Sequence, residues 1–410
     1  MFKLRDYQIE LSNKANVILS KYKIVYLLFE VRTGKTLTSL NTAQLYGAKN
    51  VLFITKKKAI SSIEQDYNLL KPSYKLTVIN NESLHKVNPK EFDLLISDEH
   101  HRNGEFPKPN KVTKLIKQKY SKLPMIFLSG TPFPESYSQV YHQFWISAAT
   151  PFKETNFYRW ADNFVTKKDK YLGTHTVVDY SNANYDKIKP IIKPLILTFT
   201  QKEAGFETNV NENILYVEMQ KITYTLCNRL IKDRVIDGRN EVVLADTSVK
   251  LQSKLHQMYS GTVKFESGNS KVIDFSKAKF IRDRFESNKI AIFYKFKAEL
   301  QALQDIFNED LTTDLDEFND TDKNIALQIV SGREGISLKN ADYLVYYNID
   351  FSAVSYWQSR DRLTTMNRKS NDIFWIFSKG GIEEKIYKSV MSKKDYNNKV
   401  FKKDYEQTPD

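Results

Sequence analysis

The sequence predicts an α/β protein with two domains, each built on a mostly parallel sheet flanked by helices. The chain has 410 residues, which suits two domains of about 200 residues each. Short β-branched and aromatic runs alternate with longer helix-like segments, which is the pattern of parallel strands joined by crossover helices. This alternation starts again after a polar stretch near the middle of the chain, so we expect two similar sheets.

Short apolar runs predict the individual strands. Each run has the length and the β-branched and aromatic content of a buried strand. The first sheet would contain the runs at 23–30, 50–55, 76–80, 92–97, 125–130 and 194–200. The second sheet would contain the runs at 213–219, 289–296, 325–330, 343–349 and 372–378.

The segments between these runs predict the domain organisation. A polar stretch without strand character, 200–213, separates the two sets and predicts a hinge. We therefore place the domain limits at 1–205 and 206–410. Residues 151–190 look mainly helical and predict an extension of the first domain, whereas the acidic stretch 308–324 predicts a surface loop.

The composition is that of a folded protein, with 41% hydrophobic and 13% aromatic residues. No run of about 18 apolar residues is present and the N-terminus lacks the layout of a signal peptide, so we expect a cytoplasmic protein without a membrane partner. The single cysteine, Cys227, can form no internal disulfide and no multi-cysteine metal site. We expect Cys227 in the core.

The net charge of +13, with a pI near 9.3, predicts a surface that attracts polyanions such as nucleic acid. The 62 lysines and arginines are spread along the whole chain. They are therefore also compatible with ordinary solvated faces. Charge alone leaves both interpretations open.

A candidate phosphate-binding loop follows the first predicted strand. Thr33, Gly34, Lys35 and Thr36 stand between that strand and a helix-like segment, and they form the end of the pattern G-x-x-x-x-G-K-[ST]. Backbone N–H groups and the helix N-terminus would attract phosphate, Lys35 would reach the β- and γ-phosphates, and the Thr36 hydroxyl would ligate Mg²⁺. Phe29 occupies the position of the first glycine, so the loop must form without it. A chance match remains the alternative.

Two carboxylates end the strand predicted at 92–97. Asp98 would hold Mg²⁺, and Glu99 would orient and deprotonate the attacking water of a hydrolysis reaction. The alternative is an acidic turn. His101, two residues after Glu99, is a candidate for coupling this site to other parts of the protein, whereas His100 could equally be structural.

A third segment, IFLSGTP (126–132), is again a strand followed by small hydroxyl residues. Ser129 and Thr131 are candidates for linking the two carboxylates to the second domain. The same residues would also suit a β-turn.

The order of the motifs resembles that of superfamily 2 helicases of the DExH type, and within them the Swi/Snf-type branch in the compact form often encoded by bacteriophages. Eight segments carry the resemblance over nearly the whole chain. They are LRDYQ (4–8), EVRTGKT (30–36), VLFITKKKAISSIEQDY (51–67), SDEHH (97–101), LSGTP (128–132), IAIFYKF (290–296), SGREGISL (331–338) and YWQSRDRL (356–363). The resemblance implies two RecA-like lobes, with ATP and Mg²⁺ as cofactors and a bacterial host cytoplasm if the protein is phage-encoded.

The resemblance also implies roles for individual residues. Gln8 matches the glutamine that reads the adenine edge. Gly335, Gln358 and Arg362 match motifs V and VI of the second lobe, which close over the nucleotide from the opposite side. A guanidinium on a separate lobe would make hydrolysis depend on closure of the lobes.

Two positions depart from the family pattern. Arg32 stands where relatives often have a small residue, and it would be either a solvent-facing charge or a phosphate contact. Motif VI usually carries a further arginine at the position of Thr365. Either Arg360 or Arg368 would have to replace that arginine, or turnover is slow.

Lys56, Lys57 and Lys58 follow the strand predicted at 50–55 and match motif Ia, where related motors contact the nucleic-acid backbone. A solvated helix start is the alternative. We expect an ATP-dependent helicase or translocase acting on DNA, with replication or recombination proteins as possible partners. An ATP-gated clamp, or the motor subunit of a restriction or defence complex, remains an alternative.

Overall fold

The computed structural model describes residues 2–134, 136–171, 176–206, 209–238, 241–329, 336, 338–350, 353–360, 362–363, 370–388 and 390–391. The described residues divide into two compact units, one that ends at Phe206 and one that begins at Asn209. Each unit contains a six-stranded sheet in which all neighbouring strands are parallel. The predicted fold class, two RecA-like lobes with parallel sheets flanked by helices, is therefore confirmed.

The first unit has its main sheet in the order β3-β2-β4-β5-β1-β8, and a separate antiparallel hairpin formed by β6 and β7. All six predicted strands of this sheet are present. The strands are β1 (Ile24–Phe29), β2 (Asn50–Thr55), β3 (Lys75–Asn80), β4 (Leu94–Ser97), β5 (Met125–Leu128), β6 (Lys168–Tyr171), β7 (Thr176–Asp179) and β8 (Ile196–Phe199).

Helices cover both faces of this sheet, because successive side chains of a buried strand point to opposite faces. In β1, for example, Tyr26 and Leu28 belong to one apolar core, and Leu27 and Phe29 belong to the other. Helices α1 to α3 pack on the Phe29 side and α4 to α7 pack on the Tyr26 side. The helices are α1 (Asp6–Tyr22), α2 (Lys35–Tyr46), α3 (Ile60–Leu70), α4 (Lys111–Tyr120), α5 (Val140–Trp145), α6 (Phe157–Phe164) and α7 (Tyr185–Ile192).

The second unit has the strand order β15-β16-β14-β17-β18-β9, with two further antiparallel pairs, β10–β11 and β12–β13. Its strands are β9 (Asn209–Val217), β10 (Val235–Asp237), β11 (Val242–Leu244), β12 (Thr262–Lys264), β13 (Ser270–Val272), β14 (Ile290–Tyr294), β15 (Leu311–Thr312), β16 (Asn324–Gln328), β17 (Tyr343–Tyr346) and β18 (Ser370–Ser378). Its helices are α8 (Lys221–Asp233), α9 (Ser248–Tyr259), α10 (Ser276–Arg284), α11 (Lys297–Phe307), α12 (Leu315–Asp320) and α13 (Ala353–Arg360).

Two segments differ from the predicted loops. The acidic stretch 308–324 contains β15 and α12, because the Asp314 carboxylate accepts hydrogen bonds from the backbone N–H groups of Asp316 and Glu317 and so caps α12, while Phe318 anchors that helix in the core. The predicted hinge at 200–213 overlaps β9, which begins at Asn209.

Residues 151–190 contain helix α6, the β6–β7 hairpin and most of α7, so strands accompany the predicted helices there.

The predicted domain limits, 1–205 and 206–410, stay a prediction, because residues 392–410 lie outside the described part of the chain. Cys227 is fully buried, as predicted. Within the described ranges, no helix is long and apolar enough to cross a membrane.

Candidate nucleotide-binding site

Three of the predicted motifs lie at one edge of the first sheet. Strands β4, β5 and β1 are neighbours in that order and run parallel, so their carboxyl ends meet at the same edge. The phosphate loop follows β1, the two carboxylates follow β4, and Ser129 follows β5. In parallel α/β sheets, ligands bind at the carboxyl edge of the strands.

The phosphate loop forms without a glycine at position 29. Phe29 is the last residue of β1 and is fully buried, so it packs in the core rather than in the turn. The left-handed backbone conformations fall later, at Arg32 (φ 63°) and Gly34 (φ 82°). The Thr33 hydroxyl donates to the Glu30 carbonyl at 2.8 Å and closes the turn before α2 begins at Lys35.

Gly34 allows the side chain of Gln8 to lie against the loop. A Cβ atom at position 34 would lie 2.2 Å from the Gln8 amide nitrogen, and the φ of 82° also disfavours any other residue. Gln8 is buried, and its amide oxygen accepts a hydrogen bond from the backbone N–H of Arg5 at 3.0 Å. The structure therefore places Gln8 beside the phosphate loop, and its recognition of adenine stays a prediction.

The Lys35 ammonium lies at the mouth of the loop. Its Nζ donates to the Phe29 carbonyl at 2.9 Å and to the Glu30 carbonyl at 3.0 Å. It also lies near enough to Asp98 for its positive charge to lower the pKa of that carboxyl. Thr36 is half-buried in the first turn of α2.

Asp98 and Glu99 form a closely spaced pair of acids. The Thr55 hydroxyl, at the end of β2, donates to Asp98 Oδ2 at 2.8 Å. Burial, together with the negative charge of Glu99, raises the pKa of Asp98 to about 6, against the opposing effects of Thr55 and Lys35. Glu99 itself has a φ of 46°, which is uncommon for a residue other than glycine and often marks a functional site.

His101 links Glu99 to the segment that follows β5. Its Nδ1 lies 3.3 Å from Glu99 Oε2 and 3.0 Å from Ser129 Oγ. Ser129 Oγ in turn accepts a hydrogen bond from the Thr131 backbone N–H at 3.1 Å. The three residues predicted to couple the site are thus in contact with Glu99 or with one another.

His100 has a structural role. Its Nδ1 lies 2.9 Å from Ser97 Oγ, its Nε2 lies 2.9 Å from the Gln143 carbonyl, and its ring stacks on Phe127 with 3.7 Å between the ring centres. Burial lowers the pKa of His100 to about 3, so the ring is neutral at physiological pH. Of the two interpretations left open by the sequence, the structure supports the structural one.

The predicted residues of the second unit are only partly described. Arg362 donates from Nη1 to the Ile336 carbonyl at 3.1 Å, and its own carbonyl accepts from the Leu338 N–H at 3.0 Å. Gln358 belongs to α13, but its side chain lies outside the described part. The remaining motif V and VI positions, Gly335, Thr365 and Arg368, lie outside the described residues.

Arg360, one of the two candidates to replace the missing motif VI arginine, has an acidic partner. Its Nη1 lies 3.7 Å from Glu212 Oε1. Glu212 belongs to β9, the edge strand of the second sheet, so this ion pair joins α13 to that strand.

The three lysines predicted to contact nucleic acid follow β2 at the same sheet edge as the phosphate loop. Lys56 precedes a short 3₁₀ turn that begins at Lys57, and Lys57 and Lys58 are exposed. Their contact with nucleic acid stays a prediction.

Sequence reasoning missed two residues that support this site. The Thr55 hydroxyl donates a hydrogen bond to the Asp98 carboxylate. The sequence feature that could have indicated Thr55 is a hydroxyl residue at the end of β2, the strand next to β4. Gln201, after β8, holds the phosphate loop, because its backbone N–H donates to Glu30 Oε2 at 2.7 Å and its amide donates to the Val31 carbonyl at 3.0 Å. Gln201 is distant in sequence from the loop, so no local pattern indicates it.

No protein family model matches the chain, and no curated protein matches it. Among solved structures, the chain is similar to the Sulfolobus solfataricus SWI2/SNF2 ATPase core in complex with dsDNA, with 16% identity, coverage of 97% of this chain and 93% of that chain, and a TM-score of 0.44. It is also similar to the Sulfolobus solfataricus SWI2/SNF2 ATPase core domain, with 16% identity, coverage of 98% and 90%, and a TM-score of 0.43.

Proposed function

We propose that the protein is an ATP-dependent nucleic-acid motor, a helicase or translocase of the DExH type that acts on DNA in replication, recombination or repair. One observation carries this proposal: Lys35, which follows β1, and the Asp98–Glu99 pair, which follows β4, lie at the same edge of the first sheet, and His101 connects Glu99 to Ser129. The preference for DNA over RNA comes from the order of the Swi/Snf-type motifs in the sequence.

The triphosphate would bind over the N-terminus of α2. The backbone N–H groups of the loop and the positive end of the helix dipole favour anions at this position. Lys35 now donates to two backbone carbonyls, and a phosphate oxygen is a stronger acceptor for an ammonium than a carbonyl oxygen is. We therefore expect Lys35 to exchange these carbonyls for the β- and γ-phosphates when ATP binds.

Mg²⁺ would be held by Asp98 and Thr36 together with the phosphates. Carboxylate and hydroxyl oxygens are hard ligands of the kind that Mg²⁺ prefers, and a site with one or two carboxylates plus substrate phosphates is its usual arrangement. Burial and the charge of Glu99 raise the pKa of Asp98 and so disfavour its ionised form, and a bound dication would offset this. When bound, the ion would neutralise charge that develops on the phosphates. In the described part, no group of three or more His, Cys, Asp or Glu side chains could hold a metal.

Glu99 would orient the attacking water and take its proton. Its left-handed backbone directs the chain into the 3₁₀ turn that holds His101, so the position of Glu99 and the contact of His101 with Ser129 are set by one local conformation. A change at Glu99 during hydrolysis would reach the 129–131 segment through the contacts of His101 with Glu99 and Ser129. These contacts provide a route from chemistry to movement.

The proposal is tested by the rate of phosphate release measured with single-stranded DNA, duplex, forked DNA and RNA at two salt concentrations. We expect DNA to stimulate hydrolysis, and higher salt to weaken the stimulation because phosphate contacts release counterions. The same preparations should displace the third strand of a DNA triplex in the presence of ATP. Stimulated release without displacement would favour the ATP-gated clamp, which the sequence suggests through Thr365, and no stimulation by any nucleic acid would refute the proposal.

A further inference from the structure

Helix α4 carries an unusual concentration of positive charge. Residues 106–134 contain six lysines and no aspartate, glutamate or arginine. Five of these lysines are exposed, and Arg102, which precedes the helix, is exposed as well. We name this set the α4 surface; it consists of Arg102, Lys108, Lys111, Lys114, Lys119 and Lys122.

The charges of the α4 surface are not neutralised within the described part of the chain, where none of its six cations forms an ion pair. Other helical segments pair their lysines with acids four residues away, as Lys14 does with Glu10 and Lys388 with Glu384. Within residues 102–122 the single acidic residue is Glu105, which is exposed, so six cations share this surface with one acid.

The lysines point away from the core because of the helical period. Thr113, Ile116 and Tyr120 form the buried stripe of α4, and Lys111 and Lys114 lie on the opposite side. The sixth lysine of the stretch, Lys117, is half-buried, and burial lowers its pKa. The helix is about 15 Å long, and the same length of duplex carries about nine phosphate charges, so several lysines can meet phosphates at once.

The N-terminal end of the α4 surface, at Arg102 and Lys111, lies close to the edge at which nucleic acid is predicted to bind. The amide of Asn81 donates to the Thr55 carbonyl at 3.3 Å, immediately before the three lysines at 56–58. Asn81 also lines an open cleft of about 570 Å³ together with Arg102 and Lys111. One acidic residue, Glu82, lines the same cleft. The cleft therefore connects the end of β2 to the N-terminal end of α4.

We propose that the α4 surface is a second nucleic-acid contact, which holds the phosphate backbone of duplex DNA beyond the part bound at residues 56–58. This inference rests on the proposed function in so far as DNA is the partner. The contact would be to phosphates, so it would add affinity and salt dependence without sequence preference. It would not take part in hydrolysis.

The test compares two triple variants with the same change of charge. The α4 variant carries Lys108→Gln, Lys111→Gln and Lys114→Gln, three exposed lysines at the N-terminal end of the α4 surface. The control variant carries Lys49→Gln, Lys71→Gln and Lys75→Gln. These three lysines are exposed, lie at the opposite, amino edge of the sheet and form no ion pair with a described residue. Binding of a labelled 30-base-pair duplex is measured from 50 to 200 mM salt, with thermal unfolding as the check that both variants fold.

We expect the α4 variant to lower the slope of log affinity against log salt by about 2 to 3, since each lost phosphate contact contributes about 0.9. The control should change the slope by less than about 1. Equal slopes for the two variants would overturn the inference. The inference would also be overturned if the α4 variant lost as much binding to labelled poly-glutamate as to the duplex, because that result would indicate an acidic protein partner. Phosphate release without DNA should be the same in the wild type and both variants. If DNA failed to stimulate hydrolysis by the wild type, the proposed function would be refuted, and the role of the α4 surface would then be decided by the duplex-binding measurement alone.

Discussion

Replacing Lys35 with alanine is expected to lower ATP hydrolysis by about 100-fold or more, which is the usual cost of removing one preorganised charge from a transition state. The ammonium lies where α2 begins, and its charge acts on Asp98, so it stands between the phosphate loop and the carboxylate pair. Phosphoryl transfer depends on positioning and on electrostatic stabilisation, and Lys35 would supply both. The measurement is steady-state phosphate release with saturating duplex DNA.

Two controls separate this effect from a loss of folding. Lys14→Ala removes an exposed lysine on α1 in the same unit and should leave hydrolysis unchanged. Thermal unfolding of Lys35→Ala should match that of the wild type, because the side chain contacts loop carbonyls rather than the apolar core. DNA binding should also be largely retained. Wild-type turnover in Lys35→Ala would remove this residue from the active site.

Glu99→Gln is expected to lower hydrolysis by about 100- to 10,000-fold, the range typical for loss of a general base. The amide has the same shape as the carboxylate, so the left-handed backbone and the packing of the 3₁₀ turn can be kept. ATP binding should persist, because Lys35 and the loop are unchanged. Removing the Glu99 charge should also lower the pKa of Asp98, since that charge raises it in the wild type.

This variant needs both a binding and a rate measurement. Binding of a fluorescent ATP analogue should remain within a few-fold of wild type, while single-turnover hydrolysis is lost. Glu91→Gln, which changes an exposed glutamate in the same unit, is the matched control and should hydrolyse ATP normally. If Glu99→Gln turned over ATP at the wild-type rate, another group would have to act as the base.

The main sheets could be predicted because their strands are short, apolar and bounded by polar segments. Strand β2, for instance, has the predicted limits 50–55, since Val51 to Ile54 are buried on both faces. The β6–β7 hairpin gave no such pattern, because Val177 and Val178 are successive and both exposed. The two-residue strand β15 is too short to show any period.

The candidate site was predictable in its motifs but not in its local geometry. His100 and His101 are adjacent and identical, yet one stacks in the core and the other meets Glu99. The direction of the 3₁₀ turn decides between them, and that turn depends on the left-handed conformation of Glu99. The contact of Thr55 with Asp98 likewise depends on which strands are neighbours, which no single segment reveals.

We propose that the loop from Glu30 to Thr36 binds ATP and that the Asp98–Glu99 pair takes part in its hydrolysis. A crystal structure of the protein with ADP, beryllium fluoride and Mg²⁺ tests it most directly. We expect phosphates over the N-terminus of α2, with Lys35 Nζ moved from the Phe29 and Glu30 carbonyls to the phosphate oxygens. A nucleotide bound elsewhere, with Lys35 still donating to those two carbonyls, would contradict it.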